Sequence, residues 1–341
     1  MRFIDREEVA RRLTYQTCIP IVRRAMIALA RGQTKQLLRS LIPLSEGRIF
    51  GIMPGAMGAH AVFGAKLISV FHDNFAKGIQ SHQGLIILFD PQTGAPVCVV
   101  HAGEVTAIRT AAASAVATDA LARADASRLA LLGYGEQAAT HARAIAQVRA
   151  LESITVWGRS PDRARAFTQR MQSELGLDRV GTDAARPERS RRVRPAMAKP
   201  SAPPIIITAP TVQDAVADAD IICTLTSAYD PILKGAWVRP GTHVNVVGSS
   251  YAGPAEIDND LVVRSRFIAD SRESVLQQGA EFLRAKAAGL INDDHIAGEI
   301  GQVLAGEIPG RCTSEEITVY KSLGHVVQDL STAWALYSEP E

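Results

Sequence analysis

The chain of 341 residues has few cysteines and no pair of them at a useful spacing. Cys18, Cys98, Cys223 and Cys312 are far apart, with no CxxC and no metal-ligand pattern. They are read as unpaired thiols of a reducing compartment, and no metal is expected. The eight histidines form no HxxxH or HxH pair. No run of about eighteen uninterrupted apolar residues occurs, so no membrane span is expected. The first residues, MRFIDREEVARRL, carry charges throughout and are not read as a signal peptide. A cytoplasmic location follows as the expectation. The formal net charge is only +2, which gives no general case for a nucleic-acid or membrane partner.

What is present suits large cores: 47% of the residues are hydrophobic and 21% charged. The length predicts two domains. Residues 6–13 and 18–31 read as helices, the second closed by Gly32. From Arg48 to Val100 the texture is that of strands: RIFGIM, VFGAKLISVF, GLIILFD and APVCVVH. The turn sequence DPQTGAP makes the last two a hairpin. Residues 103–123 read as a long Ala-rich helix whose small side chains permit close packing.

Strands and helices then alternate: strand 128–132, helix 136–149, strand 153–157, helix 161–175, and strands near 205–208, 221–226, 243–247 and 266–270. This rhythm predicts a parallel sheet with crossover helices. Residues 312–337 read as a long helix. The expected fold class is α/β, a Rossmann-type parallel-sheet domain inserted into an α/β substrate-binding and dimerisation domain. Residues 1–118 with 306–341 are assigned to the outer domain and 119–305 to the inserted one. Segment 186–204 holds Arg186, Arg189, Arg191, Arg192, Arg194 and Lys199 against Glu188, with five prolines. It is read as a mobile basic surface insertion, with a nucleic-acid or partner-binding arm as the alternative.

The stretch LALLGYGEQAATHARAIA, residues 129–146, carries the first chemical signal. A GxGxxG-like turn gains meaning when it follows a strand and opens a helix, as here. Gly133 allows the tight turn, and Gly135 lets the backbone approach a pyrophosphate. Ala138 replaces the third glycine and still permits close helix packing. Free N–H groups at the helix start, around Glu136 and Gln137, bind phosphate. The alternative is a glycine-rich turn without a ligand. The second strand ends in VWGRSPDRA. NAD sites usually place an acid there for the ribose hydroxyls. Arg159 and Ser160 stand there instead and suit a 2′-phosphate. NADP(H) is therefore expected, with NAD(H) as the alternative.

Several stretches in order then resemble one family: GAKLISVFHDN, LFDPQTGAP, RTAAASAVATDALARADASRLALLGYGEQA, PGTHVNVVGS and PGRCTSEEITVYKSLG. Together they resemble the ornithine cyclodeaminase/mu-crystallin family over nearly the whole chain, apart from the basic insertion. The resemblance implies a Rossmann domain joined to an α/β domain that also forms a homodimer. It implies NAD(P)(H) and a small α-amino or α-imino acid substrate. The family's substrate-carboxylate residues fall on Arg39, Lys66 and Arg109. A guanidinium fork suits a carboxylate, and a lysine ammonium can protonate an imine nitrogen. For each, the alternative is a surface or salt-bridged residue, though Lys66 and Arg109 both interrupt apolar or Ala-rich runs. His82 and Gln83 open a strand and are assigned to the same pocket. Thr110, Thr226, Asn245, Gly248 and Ser249 are assigned to the cofactor, the last three from HVNVVGS.

One departure bears on the reaction. The cyclodeaminases carry a catalytic aspartate after the strand matched to ICTLTSAYDPIL, and counting places it on Ala228. Asp230 lies two residues on. Without that acid, ring closure of ornithine lacks a proton acceptor, whereas reduction of an imine does not need one. The expected activity is NADPH-dependent reduction of a cyclic imino acid such as Δ1-pyrroline-2-carboxylate or Δ1-piperideine-2-carboxylate to the L-amino acid. The alternatives are ornithine cyclodeaminase, an alanine dehydrogenase-like enzyme and a non-catalytic NADPH-binding protein of the crystallin kind.

Overall fold

The computed structural model describes residues 1–58, 61–177 and 203–339. Most of the basic insertion therefore lies outside the described residues. The strand-rich first part forms a seven-stranded sheet: β1 (Arg2–Ile4), β2 (Lys35–Gln36), β3 (Ser40–Ser45), β4 (Arg48–Ala56), β5 (Phe63–Phe71), β6 (His82–Phe89) and β7 (Pro96–His101). Its order is β1-β7-β6-β5-β4-β2, with β3 also paired to β4. Only the β1–β7 pair is parallel. The short strands β1, β2 and β3 carry little hydrophobic period and escape the sequence reading.

Alternation decides what each face of this sheet does. On β5, Lys66 and Ile68 point into the protein, as do Ile86 and Leu88 on β6. The intervening residues face the other way, and many are apolar and only half-buried: Phe50, Ile52, Phe63, Leu67, Ile87 and Phe89. The Phe63 and Phe89 rings stack across the β5–β6 pair at 5.4 Å.

The inward face is covered by α3 (Ala102–Leu121) and the C-terminal helix Val326–Ser338, with α1 (Arg6–Arg12) beside β7 and α2 (Tyr15–Ala30) packed on α3 and the C-terminal helix. Thr14 caps α2 by accepting a hydrogen bond from the Thr17 N–H. Almost every residue of α3 is buried, because its alanines and small polar residues let neighbouring helices approach from several sides. It packs on α2 and the C-terminal helix of its own domain and on the first helix of the next, α4 (Glu136–Ile145).

The second sheet is wholly parallel. Its strands are β8 (Arg128–Leu132), β9 (Ser153–Trp157), β10 (Ile205–Thr208), β11 (Ile221–Thr224), β12 (His243–Val246), β13 (Ser265–Ala269), β14 (Ile296–Glu299) and β15 (Ile317–Lys321). The order β10-β9-β8-β11-β12-β15-β13-β14 puts a topological switch between β8 and β11; α4 packs beside β8, and α5 (Pro161–Leu177) lies farther out on β9 and β10. Ligands of open α/β sheets bind outside the strand ends at such a switch. The fold is therefore the expected Rossmann-type class.

The C-terminal stretch corrects one expectation. Residues 312–337 are not one helix: β15 comes first, and a helix begins only at Val326. All five β15 residues are buried, and the strand lies between β12 and β13. The outer domain as drawn from 306 onward thus includes a strand of the parallel sheet. A strand buried on both faces loses its alternation and cannot be told from a buried helix by periodicity.

Candidate active site

Between the two sheets runs an open cleft of about 1320 Å³. One end is the turn after β8. Gly133 has φ +133°, and a Cβ there would lie 2.7 Å from the Leu225 carbonyl oxygen, so this turn requires glycine. Gly135 is the N-cap of α4 and offers no side chain to its first turn. The helix start faces the cleft with Gly133, Tyr134, Gly135, Glu136 and Gln137. Uncapped N–H groups suit an anion there. The buried Gln137 Oε1 also has no hydrogen-bond partner among the described residues. Glu136 accepts a hydrogen bond from Gln80 Nε2. Burial raises its pKa, and Glu104 adds to the rise.

Arg159 lines the same end, just past β9. Ser160 is not in the lining; its Oγ lies 3.4 Å from the Arg163 N–H at the start of α5. Thr226 and Gly248, past the ends of β11 and β12, line the cleft too. Both are tied to buried Glu256: its Oε1 accepts from Thr226 N at 2.7 Å and Thr226 Oγ1 at 2.8 Å, and its Oε2 from Gly248 N at 2.7 Å. Asn245 and Ser249 lie behind this surface and do not line it. Asn245 Nδ2 donates to Thr118 Oγ1 at 3.0 Å, and Ser249 Oγ donates to Glu281.

The other end gathers the cations. Lys66 from β5 and Arg109 from α3 are 2% and 5% exposed. They meet at Asp329 of the C-terminal helix. Lys66 Nζ lies 3.0 Å and Arg109 Nε 2.9 Å from its Oδ1. Arg109 Nη1 also donates to Gln328 Oε1 at 2.8 Å. Arg39 reaches the carbonyls of Leu323 and Gly324, the latter at 2.7 Å. That turn is pinned by Asp270, which accepts from Leu323 N at 2.7 Å and Gly324 N at 2.8 Å. Thr110 follows Arg109 into the lining.

Electrostatics follow from this packing. Burial lowers the Lys66 pKa to about 7; Asp329 acts against that fall and Arg109 with it. Burial also brings Arg39 down to about 10. For Asp329, burial alone would raise the pKa, but Arg109 and Lys66 outweigh it and hold the carboxyl below its ordinary range.

His82 stands opposite Val70 on the cleft face of the sheet. Gln83 stands opposite Ser69 on the reverse face and does not line the cleft. Adjacent residues of one strand cannot both point into the same pocket. Ala228 lines the cleft but carries no acid, while Asp230 sits at its rim, 85% exposed and 3.7 Å from Arg284. Sequence reasoning passed over Asp329, Gln328 and Glu256. The signal for the first two was there, a polar pair inside the apolar run VVQDL.

The sequence profile of the ornithine cyclodeaminase/mu-crystallin family matches residues 2–189 and 191–341. The chain belongs to this family. Mouse ketimine reductase mu-crystallin is 31% identical over 340 residues, covering 98% of this chain and 96% of that protein. Thermococcus litoralis Δ1-pyrroline-2-carboxylate reductase, solved with NADH and L-proline, superposes with a TM-score of 0.88 at 31% identity, covering 99% and 96% of the two chains. An archaeal alanine dehydrogenase dimer with bound NAD gives 0.84 at 25% identity, covering 99% and 95%. Within the ornithine cyclodeaminase/mu-crystallin family, the chain is an NAD(P)H-dependent oxidoreductase acting on C=N and CH–NH groups. Among the described residues no helix is long and apolar enough to cross a membrane, and no cluster of His, Cys, Asp and Glu could hold a metal.

Proposed function

We propose that this chain reduces a small cyclic imino acid, Δ1-pyrroline-2-carboxylate or Δ1-piperideine-2-carboxylate, to the L-amino acid, with NADPH preferred over NADH. The observation that carries the reading is the convergence of Lys66, Arg109 and Arg39 at one end of a cleft whose other end is the glycine turn before α4. Gly133, Gly135, Glu136 and Gln137 would hold the pyrophosphate through the α4 N-terminus. Thr110, Thr226 and Gly248 would flank the nicotinamide, and Arg159 would take the 2′-phosphate. The bound nicotinamide supplies the hydride. Arg109 and Arg39 fix the substrate carboxylate, His82 borders the pocket, and Lys66 gives a proton to the imine nitrogen. Holding the imine against the hydride donor is what the cleft contributes to rate.

Ornithine cyclodeamination is disfavoured by the absence of a carboxylate at Ala228 and by the position of Asp230, turned to solvent beside Arg284. The half-buried apolar face of the first sheet supports a homodimer built on that face.

The test is a screen of purified protein with NADPH and NADH against both cyclic imino acids, pyruvate with ammonia or methylamine, and ornithine. NADPH oxidation with a cyclic imino acid, and little or no proline from ornithine with NAD⁺, is the expected result. Efficient ammonia release from ornithine would overturn it.

A further inference from the structure

Asp329 is more than a counter-ion to its neighbours. It is wholly buried, and its Oδ1 takes both Lys66 Nζ and Arg109 Nε, while Oδ2 has no hydrogen-bond partner among the described residues. A buried carboxylate kept only for stability gains by satisfying both oxygens, since an incomplete buried ion pair is costly. The charges facing Lys66 are Asp329 from the C-terminal helix, Arg109 from α3, and Arg39 from the segment before β3. Its cross-strand neighbours Met53 and Ile86 are apolar. Of these groups only Asp329 favours an ammonium.

We propose that Asp329 is the positioning residue of the reduction: it keeps Lys66 protonated and anchors one of its N–H bonds, so that another is presented to the imine nitrogen. This rests on Lys66 being the proton donor, as read above. In the step so assigned, the imine carbon gains the hydride carried by the reduced nicotinamide. The C=N π pair becomes a new N–H bond with the Lys66 proton, and the C=N bond becomes single. The imine is reduced and the cofactor oxidised. Lys66 is left neutral, Asp329 stays ionised, and the lysine regains a proton from water in the open cleft. Without Asp329, burial and two arginines would all oppose the ammonium.

Asp329→Asn keeps the shape and removes the charge. Two readouts are needed. Competitive acetylation of Lys66 with acetic anhydride across pH, quantified by mass spectrometry, reports its protonation without any turnover. Its midpoint is expected to fall by about 1 pH unit or more, as for loss of an opposite charge at contact distance. The pH profile of kcat/KM with Δ1-pyrroline-2-carboxylate should lose its basic limb to lower pH by the same amount. Neutral-pH activity would drop about fivefold or more and recover in part under acidic conditions, with NADH affinity retained. Should the variant fail to fold, the wild type still decides: its labelling midpoint and its basic limb must coincide, and a clear separation overturns the role. In the variant, an unmoved midpoint beside uniformly reduced activity sinks the role alone and leaves the reductase reading intact. No turnover of any imino acid by the wild type sinks the reductase reading, and this role with it.

Discussion

The Tyr134 ring fills the space in which a side chain at position 158 would begin: a Cβ on Gly158 would lie 2.0 Å from Tyr134 Cδ1. Both residues line the cleft. Gly158→Ala should drive the ring aside into the path proposed for the dinucleotide. NADH and NADPH affinity would then fall together, by about tenfold, through a contact whose coupling is typically 0.5–3 kcal/mol. Adding Tyr134→Ala should restore most of the loss in a fluorescence titration. A double variant as weak as the single one would show that the ring is not the cause.

Cofactor choice is the second prediction. Arg159 lines the cleft with no acid beside it in GRS. A hydrogen bond to a charged group contributes about 1.5–3 kcal/mol. Arg159→Ala should weaken NADPH about tenfold or more and leave NADH nearly unchanged. Equal use of the two cofactors by the wild type would end this argument.

Arg109 is expected to matter for the substrate and not for the cofactor. Its Nε and Nη1 are already engaged by Asp329 and Gln328. Arg109→Lys keeps a charge but cannot reproduce the planar fork. Imino-acid kcat/KM should fall by about tenfold or more, the scale of one lost charged hydrogen bond, while the dissociation constant for NADPH stays within about twofold. Collapse of both would assign the residue to the cofactor site or to folding.

The pH profile supplies a fourth check. Burial brings the Lys66 pKa down to about 7, and the proton donor proposed here needs the charged form. Raising the pH through that value removes the donor, so kcat/KM should decline on the basic side. Lowering it keeps Lys66 charged. The depressed Asp329 pKa keeps that carboxylate ionised well into the acid range. Lys66→Met should abolish the basic limb together with most of the rate.

The apolar face of the first sheet predicts association. Leu67 and Leu85 are directly paired on it, and Leu85 is 38% exposed. Light scattering should give the mass of a dimer. Leu67→Asp, placing a charge on that face, should give monomers with an intact Rossmann half that still binds NADH. A monomeric wild type would mean that the face is covered in some other way.

The local pattern of the sequence determined the strand–turn–helix around Gly133 and Gly135 and the alternation of β and α from 128 onward. Each depends on residues within one or two turns of each other, where spacing and backbone preference suffice. Only the tertiary structure decided that His82 and not Gln83 lines the cleft, because a sheet's faces acquire meaning only when something packs on one of them. It alone placed β15 in the middle of the parallel sheet, 185 positions after β8 as the chain is numbered, from Leu132 to Ile317. It also brought Asp329 to Lys66, 263 positions apart in the chain. No local signal encodes such a meeting; it arises because the C-terminal helix must bury its own apolar face against the sheet that carries the lysine.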